Sequence, residues 1–499
     1  MTQYKLTTPQ KNIWNLQKFY ENTSISNICG AVLFDEKYDS KLLEQAVNEE
    51  IRLQDGMRIR FCDNNGKMVQ YTHNYSYEKF DFMEFNSSDE FNRFGEEYAN
   101  KLFELLDSQM YRVTVFELCG KSGVLLCASH LISDAWTYSI LAKDVFYIYN
   151  LLVHGKTVDL PKYNYTDYIE SEQKYFKSEK YVRDKAYWTE KYRDKPELSP
   201  IKLMRTPVFV PTAKRYTTAL SAELTNKTDE FCAENGISQA VVFEAAVIAY
   251  LSRINVENKS VTIGLPVLNR NNVHEKRTVG MYISTAPLTV EISDNDSAFS
   301  LCRKITDGHR QIFRHRKYPF GDILRDIRER MDFSGNLYGV MVSCQNAKTN
   351  IKASTKWFPS GFSEIPFTFH IDNRDSSDRY TVTIDYQTEA FPQDGEISLV
   401  AERIMLIVNQ IVSDKNIPLK DISILPDEEY RRIIFNFNNT AVDYPKDKCV
   451  HELFSEQAEN NPYKVVLVFE NEKFTYRRLD EMSNSIAHCL REKGIKPND

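Results

Sequence analysis

Arg112-Val113-Thr114-Val115-Phe116-Glu117-Leu118, Cys119, Gly120-Lys121-Ser122-Gly123, Val124-Leu125-Leu126-Cys127-Ala128, Ser129-His130-Leu131-Ile132-Ser133-Asp134-Ala135: the fold is decided on this run. The first segment alternates around Val113, Val115 and Glu117, and the second is an apolar run. A glycine-bearing tetrapeptide separates them, so the pair reads as a β-hairpin. His130 then emerges where the second strand ends. Ser133 or Asp134 can cap the helix that follows, whose apolar positions are Ile140, Leu141, Val145, Ile148 and Leu152. A strand end, a short loop and a helix start together present reactive groups well. A neutral imidazole there can accept a proton from an amine and pass it to a leaving group. An acidic neighbour such as Asp134 can orient the ring or fix the loop by pairing with a cation.

Gly120-Lys121-Ser122 invites a phosphate-loop reading, which fails on two counts. Val115 stands where such a loop needs glycine, and a strand rather than a helix follows. Moving outward, Thr8 and Pro9 read as the start of a helix, with Thr8 as cap and Pro9 at the first helical position. Ala31-Val32-Leu33-Phe34 reads as a strand, and Leu42, Leu43, Ala46 and Val47 repeat at helical spacing. A charged, Tyr-rich helical stretch runs from about Asp167 to Arg193. Beyond it come a helix over Ser238–Ser252, strands near Val261–Gly264, Leu337–Val342 and Tyr380–Ile384, and a long amphipathic helix near Leu399–Val412. Alternating strands and helices predict an α/β layered architecture.

The chain has 499 residues, 42% hydrophobic and 27% charged, which suits a folded chain of two or three domains. A formal charge of −7 argues against nucleic acid as the main partner. No apolar run is long enough to span a bilayer, and the opening Met1-Thr2-Gln3-Tyr4-Lys5 has no signal-peptide core, so no membrane partner is expected. The nine cysteines form no Cys-x-x-Cys pair, which predicts reduced thiols, a cytoplasmic setting and no metal site.

In order along the chain, several segments resemble the motifs of nonribosomal peptide synthetase condensation domains. Ser129-His130-x-x-x-Asp134-Ala135 is similar to their His-His-x-x-x-Asp-Gly motif. Thr8-Pro9-Gln10-Lys11-Asn12-Ile13-Trp14 resembles the opening motif, Met57-Arg58-Ile59-Arg60-Phe61 the Leu-Arg-Thr-x-Phe element, and Tyr165-x-Asp167-Tyr168 the Tyr-x-Asp-Tyr element. Gly280-Met281-Tyr282-Ile283-Ser284-Thr285 looks like Gly-x-Phe-Val-Asn-Thr, and His315 through Phe320 like His-Gln-x-x-Pro-Phe. No single match is specific; six in order are. Near the C-terminus, Phe437-Asn438-Asn439-Thr440, His451-x-Leu453-Phe454 and Phe474 through Leu479 resemble the start of an adenylation domain.

The resemblance implies two chloramphenicol-acetyltransferase-like lobes in a V, with a central tunnel that admits a donor thioester and an acceptor amine from opposite sides. The expected division is 1–175 for the N-terminal lobe, 176–425 for the C-terminal lobe, 426–448 for a linker and 449–499 for a truncated adenylation segment. His130 is then the catalytic residue, positioning or deprotonating the amine. Asp134 is a structural support paired with Arg58, and Ser129 and Ala135 complete the motif as departures from its first His and its Gly. A backbone N–H beside Ala135 is a further candidate, for the developing oxyanion. The domain itself binds no cofactor; its substrates ride on phosphopantetheine, or the donor arrives as acyl-CoA. Expected partners are donor and acceptor carrier proteins and a downstream adenylation domain. With Met1 just ahead of the first motif, no carrier domain is expected upstream, and Asn22–Asn27 resembles domains that initiate lipopeptides. Two rivals stay open: a degenerate, non-catalytic module that binds carrier proteins or tailoring partners, and a CoA-dependent acetyltransferase.

Overall fold

A computed structural model describes residues 2–202, 210–293, 295–345, 352–373, 379–393 and 395–496. After the short strand β1 (Tyr4–Lys5), Thr7 opens α1 (Thr8–Phe19). The cap is Thr7, not Thr8, because Thr7 and Gln10 form a reciprocal capping box that places Thr8 and Pro9 inside the first turn. There follow β2 (Asn27–Phe34), α2 (Ser40–Leu53), and the hairpin of β3 (Ile59–Asn64) and β4 (Lys67–Thr72). Next are β5 (Asp81–Phe85), α3 (Ser88–Asn100), β6 (Tyr111–Leu118) and β7 (Lys121–Ser129). β6 and β7 form the hairpin read from the sequence, but the turn is only Cys119 (φ 50°) and Gly120 (φ 81°), the left-handed pair that suits a tight two-residue turn, and Lys121, Ser122 and Gly123 already belong to β7. Side chains alternate across these strands. Tyr111, Val113, Val115, Leu126 and Ala128 pack towards α2 and α4 (Ala135–Val153). Phe116, Leu118, Leu125 and Cys127 pack towards α3 on the other face.

α5 (Tyr165–Phe176) gives Tyr165, Tyr168 and Ile169 to the first core, whereas α6 (Glu179–Lys191) gives Trp188 to the second. The chain therefore changes lobes between the two helices. The second lobe is assembled from β8 (Ala213–Ala219), α7 (Ala222–Asn235), α8 (Gln239–Ile254), β9 (Ser260–Leu268), α9 (Val273–Arg277) and β10 (Ile283–Glu291). It continues with α10 (Ala298–His315), α11 (Phe320–Arg330), β11 (Val340–Gln345), β12 (Ala353–Phe358), β13 (Phe367–Asp372), β14 (Thr381–Gln387) and α12 (Glu396–Ser413). Its six-stranded sheet runs β10-β9-β11-β13-β14-β8, with α8, α10 and α12 packed on one face. The nearly all-apolar α8 is buried along its length and forms the spine of that core. No single helix among the described residues is long and apolar enough to cross a membrane.

One strand departs from the division by sequence position. β12 pairs antiparallel with β2, so the first-lobe sheet runs β12-β2-β7-β6-β5 and borrows its edge from the second half of the chain.

The chain separates into two units, Met1–Pro426 and Asp427–Asp499. The second opens with α13 (Asp427–Arg431) and a single π-helical turn over Arg432–Asn436, in a stretch whose Asn-rich composition reads as linker. It then forms α14 (Val450–Asn460), a hairpin of β15 (Val465–Phe469) and β16 (Glu472–Thr475), and α15 (Tyr476–Glu492).

Candidate active site

His130 is the first residue beyond β7, and the backbone holds it there. Its N–H donates to Ser26 O at 2.7 Å, and the Ser129 N–H donates to Met110 O at 2.8 Å. The loop that follows is closed by Ser129. Its carbonyl accepts the Ile132 N–H (3.0 Å) and the Ser133 hydroxyl (3.0 Å), and its own hydroxyl accepts the Leu131 N–H (3.2 Å). Ser129 and Ser133 are fully buried, so the serine that stands in place of the motif's first His shapes the turn from inside. Gln10 braces the same loop from α1, its Nε2 donating to Leu131 O at 3.0 Å while its amide pairs with that of Gln70.

The imidazole of His130 is half-buried and places Nδ1 2.7 Å from Ser133 O. A carbonyl only accepts, so Nδ1 carries the hydrogen and Nε2 is left as the acceptor. Burial pushes the ring below the usual histidine range, although the Asp134 charge pulls the other way. The side chain is therefore a neutral base at physiological pH. It lines a cavity of about 1160 Å³ together with Ala135, the first residue of α4.

Asp134 does not face that cavity. Its carboxylate caps α4, accepting the Thr137 N–H at 2.9 Å, and accepts the Tyr282 N–H at 3.2 Å. Its cation is Arg270, whose Nη2 lies 3.1 Å from each carboxylate oxygen, with both side chains fully enclosed. The expected pairing of Asp134 with Arg58 is thus corrected. Arg58 ends the 3₁₀ turn ahead of β3 and donates to Ile51 O (3.2 Å) and His73 O (2.7 Å), with Asp55 as the carboxylate that acts on it. Arg270 reaches Asp134 because it leaves the end of β9, lays its guanidinium 4.0 Å over the Tyr282 ring and donates to the carbonyls of Glu275, Thr278 and Gly280. No spacing rule pointed to Arg270. The one local signal was a charged residue set between Asn269 and Asn271 directly after a buried strand.

Most of the other matched segments converge on this loop. Tyr165 donates its hydroxyl to Met281 O at 2.6 Å and contacts Thr7, and Tyr168 packs 4.3 Å from Tyr282. Gly280 has to be glycine here, since a Cβ would stand 2.1 Å from the Tyr165 ring. The His315–Phe320 segment does a different job: His315 stacks on Tyr187 at 4.0 Å and its Nδ1 meets Asp184 at 2.9 Å, which joins α10 to α6. Among the described residues no group of His, Cys, Asp and Glu could hold a metal ion.

Comparison with known proteins places these features in a family. The family model described as "Condensation domain" matches residues 1–434, and one described as "AMP-binding enzyme" matches residues 454–499. The chain is 30% identical over 512 residues to surfactin synthase subunit 1 of Bacillus subtilis (strain 168), covering 100% of this chain and 14% of that protein. It is 24% identical to gramicidin S synthase 2 of Aneurinibacillus migulanus, covering 99% of this chain and 11% of the relative. The chain thus spans only a small part of these curated relatives. Among solved structures, a variant of the starter condensation domain of rhizomide synthetase RzmA in complex with C8-CoA superposes with a TM-score of 0.76 at 19% identity, over 85% of this chain and 98% of that one. The first condensation domain of the CDA synthetase does so with a TM-score of 0.76 at 17% identity, over 85% and 99%.

Proposed function

This chain belongs to the condensation-domain family, and from that premise we propose that it joins a donor acyl thioester to the amine of an aminoacyl thioester on a carrier protein. The amine nitrogen attacks the donor carbonyl, the new C–N bond forms, and the C–S bond breaks to release the donor thiol. His130 Nε2 positions the amine and takes its surplus proton, which then passes to the departing thiolate. One observation carries the reading: a neutral imidazole, its tautomer set by Ser133 O, stands on a cavity of about 1160 Å³ that both lobes line. Holding two thioesters in line there can itself lower the barrier by roughly 7–11 kcal/mol. Asp134 and Arg270 act on the site by fixing the start of α4 and are positioning residues.

The domain holds no cofactor of its own in this reading, its substrates arriving on phosphopantetheine arms or, for the donor, as acyl-CoA. That a variant of the RzmA starter domain was captured in complex with C8-CoA supports including the CoA route. Donor and acceptor carrier proteins are the partners, and the match of residues 454–499 to AMP-binding enzymes supports an adenylation domain next in line. Incubating the chain with acyl donors and loaded acceptor carriers, with amide product read by mass spectrometry, tests the proposal. His130→Ala should lower the rate by a factor of about 100 or more. An unchanged rate removes the role assigned to the imidazole. Carrier binding without any product selects the non-catalytic module instead.

A further inference from the structure

The cavity has two unlike walls. One carries the larger apolar side chains, Ile13, Leu16 and Phe19 of α1 with Trp357 of β12, among which Asn12 and Asn15 are set. The other is the uncovered face of the six-stranded sheet. On β11, β13 and β14 the residues turned to the core are Val342, Phe369, Ile371, Val382 and Ile384, all buried. The alternate positions turned to the cavity on those strands and β8 include the polar Ser343, Gln345, His370, Thr383, Asp385 and Arg215, with Met341 of β11 as an apolar exception. A sheet face built only to pack would continue the Val/Ile pattern, and this one does not.

At its centre Arg215 grips Asp385 with Nε and Nη2 at 2.7 and 2.8 Å, and His370 Nε2 lies 3.2 Å from the same carboxylate. The arginine's fork is thereby closed on Asp385, so this cluster has satisfied its own charges. The Oε1 of Gln345 has no hydrogen-bond partner among the described residues. A plain hydrocarbon laid on this wall would strip water from polar groups and return nothing. A neutral chain with hydroxyl or amide groups would replace the water it displaces.

We propose that His370, Thr383 and the Arg215–Asp385 pair determine substrate specificity, selecting a thioester whose chain bears a neutral hydroxyl or amide group over one that is plain alkyl. The inference rests on the condensation reading and deepens it. Donor and acceptor both reach the cavity, so the experiment has two arms. In one, octanoyl thioesters hydroxylated one carbon at a time compete with octanoyl thioester; in the other, glutaminyl-loaded carrier competes with leucyl-loaded carrier.

The wild-type chain should favour the hydroxyl- or amide-bearing member of at least one arm by about tenfold or more in kcat/KM. His370→Leu and the near-isosteric Thr383→Val should each reduce that preference to about threefold or less while turnover of the apolar member persists. The persisting turnover, with an unchanged circular dichroism spectrum, shows that the fold survived. Product formed without preference in either arm, or a preference that neither variant alters, overturns the inference and leaves the condensation reading standing. Absence of product from every pair overturns the condensation reading and the inference with it.

Discussion

Replacing Arg270 with methionine tests the internal logic of the site. The variant keeps much of the side-chain volume against Tyr282 but removes the guanidinium that lies 3.1 Å from both Asp134 oxygens. It also frees the carbonyls of Glu275, Thr278 and Gly280, which accept from the same group. Asp134 keeps the N–H groups of Thr137 and Tyr282 but loses its only described cationic partner, in a setting with no exposed surface. Stranding a buried charge in this way costs about 3–5 kcal/mol. Arg58→Met removes two hydrogen bonds to carbonyls from a half-buried site and should cost about 1–3 kcal/mol. Urea unfolding of the full chain, followed by circular dichroism at pH 7, measures both. Pairing each variant with Asp134→Asn closes two double-mutant cycles. The Arg270 cycle should show a coupling of about 2 kcal/mol or more, and the Arg58 cycle should stay within about 0.5 kcal/mol of additivity. Equal losses from the two arginines, or coupling of Asp134 to Arg58 instead, would refute the assignment.

Three further outcomes are expected. Because burial holds the His130 ring below its ordinary value, the ratio of the wild-type to the His130→Ala condensation rate, in which the acceptor amine's own titration at ~8 cancels, should climb with pH through a value under ~6.5 and be level at pH 7 and above; a ratio still rising between pH 7 and 8 contradicts a neutral base. Gly280→Ala forces a Cβ to 2.1 Å from the Tyr165 ring, so it should lower stability by about 2 kcal/mol or more in thermal unfolding, and combining it with Tyr165→Leu should recover part of that loss. His309 Nε2 stands 2.7 Å from the buried Glu244 carboxylate, whose partnership raises the histidine above its usual range despite burial. A raised folded-state value means this stabilisation is complete below ~6.5 and fades as pH climbs through the folded value. Stability measured from pH 6 to 9 should therefore decline with a slope that His309→Gln removes.

What was legible in the sequence followed from local physics. The β6–β7 hairpin could be read because Gly120 supplies a left-handed turn between two runs of matching pattern, and α4 because Asp134 precedes its apolar positions. The placement of His130 at a strand end came with them. The partner of Asp134 could not be read this way, since a contact across 136 residues between Arg270 and Asp134 leaves no trace in spacing. Thr8-Pro9 offers a helix start signal of its own, and only the reciprocal bonds between Thr7 and Gln10 make Thr7 the α1 cap. β12 is short, with half-buried and exposed positions alternating up to the buried Phe358, and its pairing with β2 joins segments more than 300 residues apart, which the pattern within either strand cannot announce. The polar sheet wall was hidden for a related reason: residues such as His370 and Asp385 become neighbours only when β13 and β14 lie side by side.

The borrowed strand bears on anyone who would shuffle halves between relatives. A junction placed between α5 and α6 looks clean along the chain, yet it hands the N-terminal half a foreign β12 to lay against its own β2. Trp357 of that strand rests where a Cβ on Gly30 would come within 3.1 Å, and Phe358 where one on Gly95 would come within 2.3 Å. Chimeras should therefore tolerate exchange best when residues 353–358 travel with the half they cover rather than the half that encodes them.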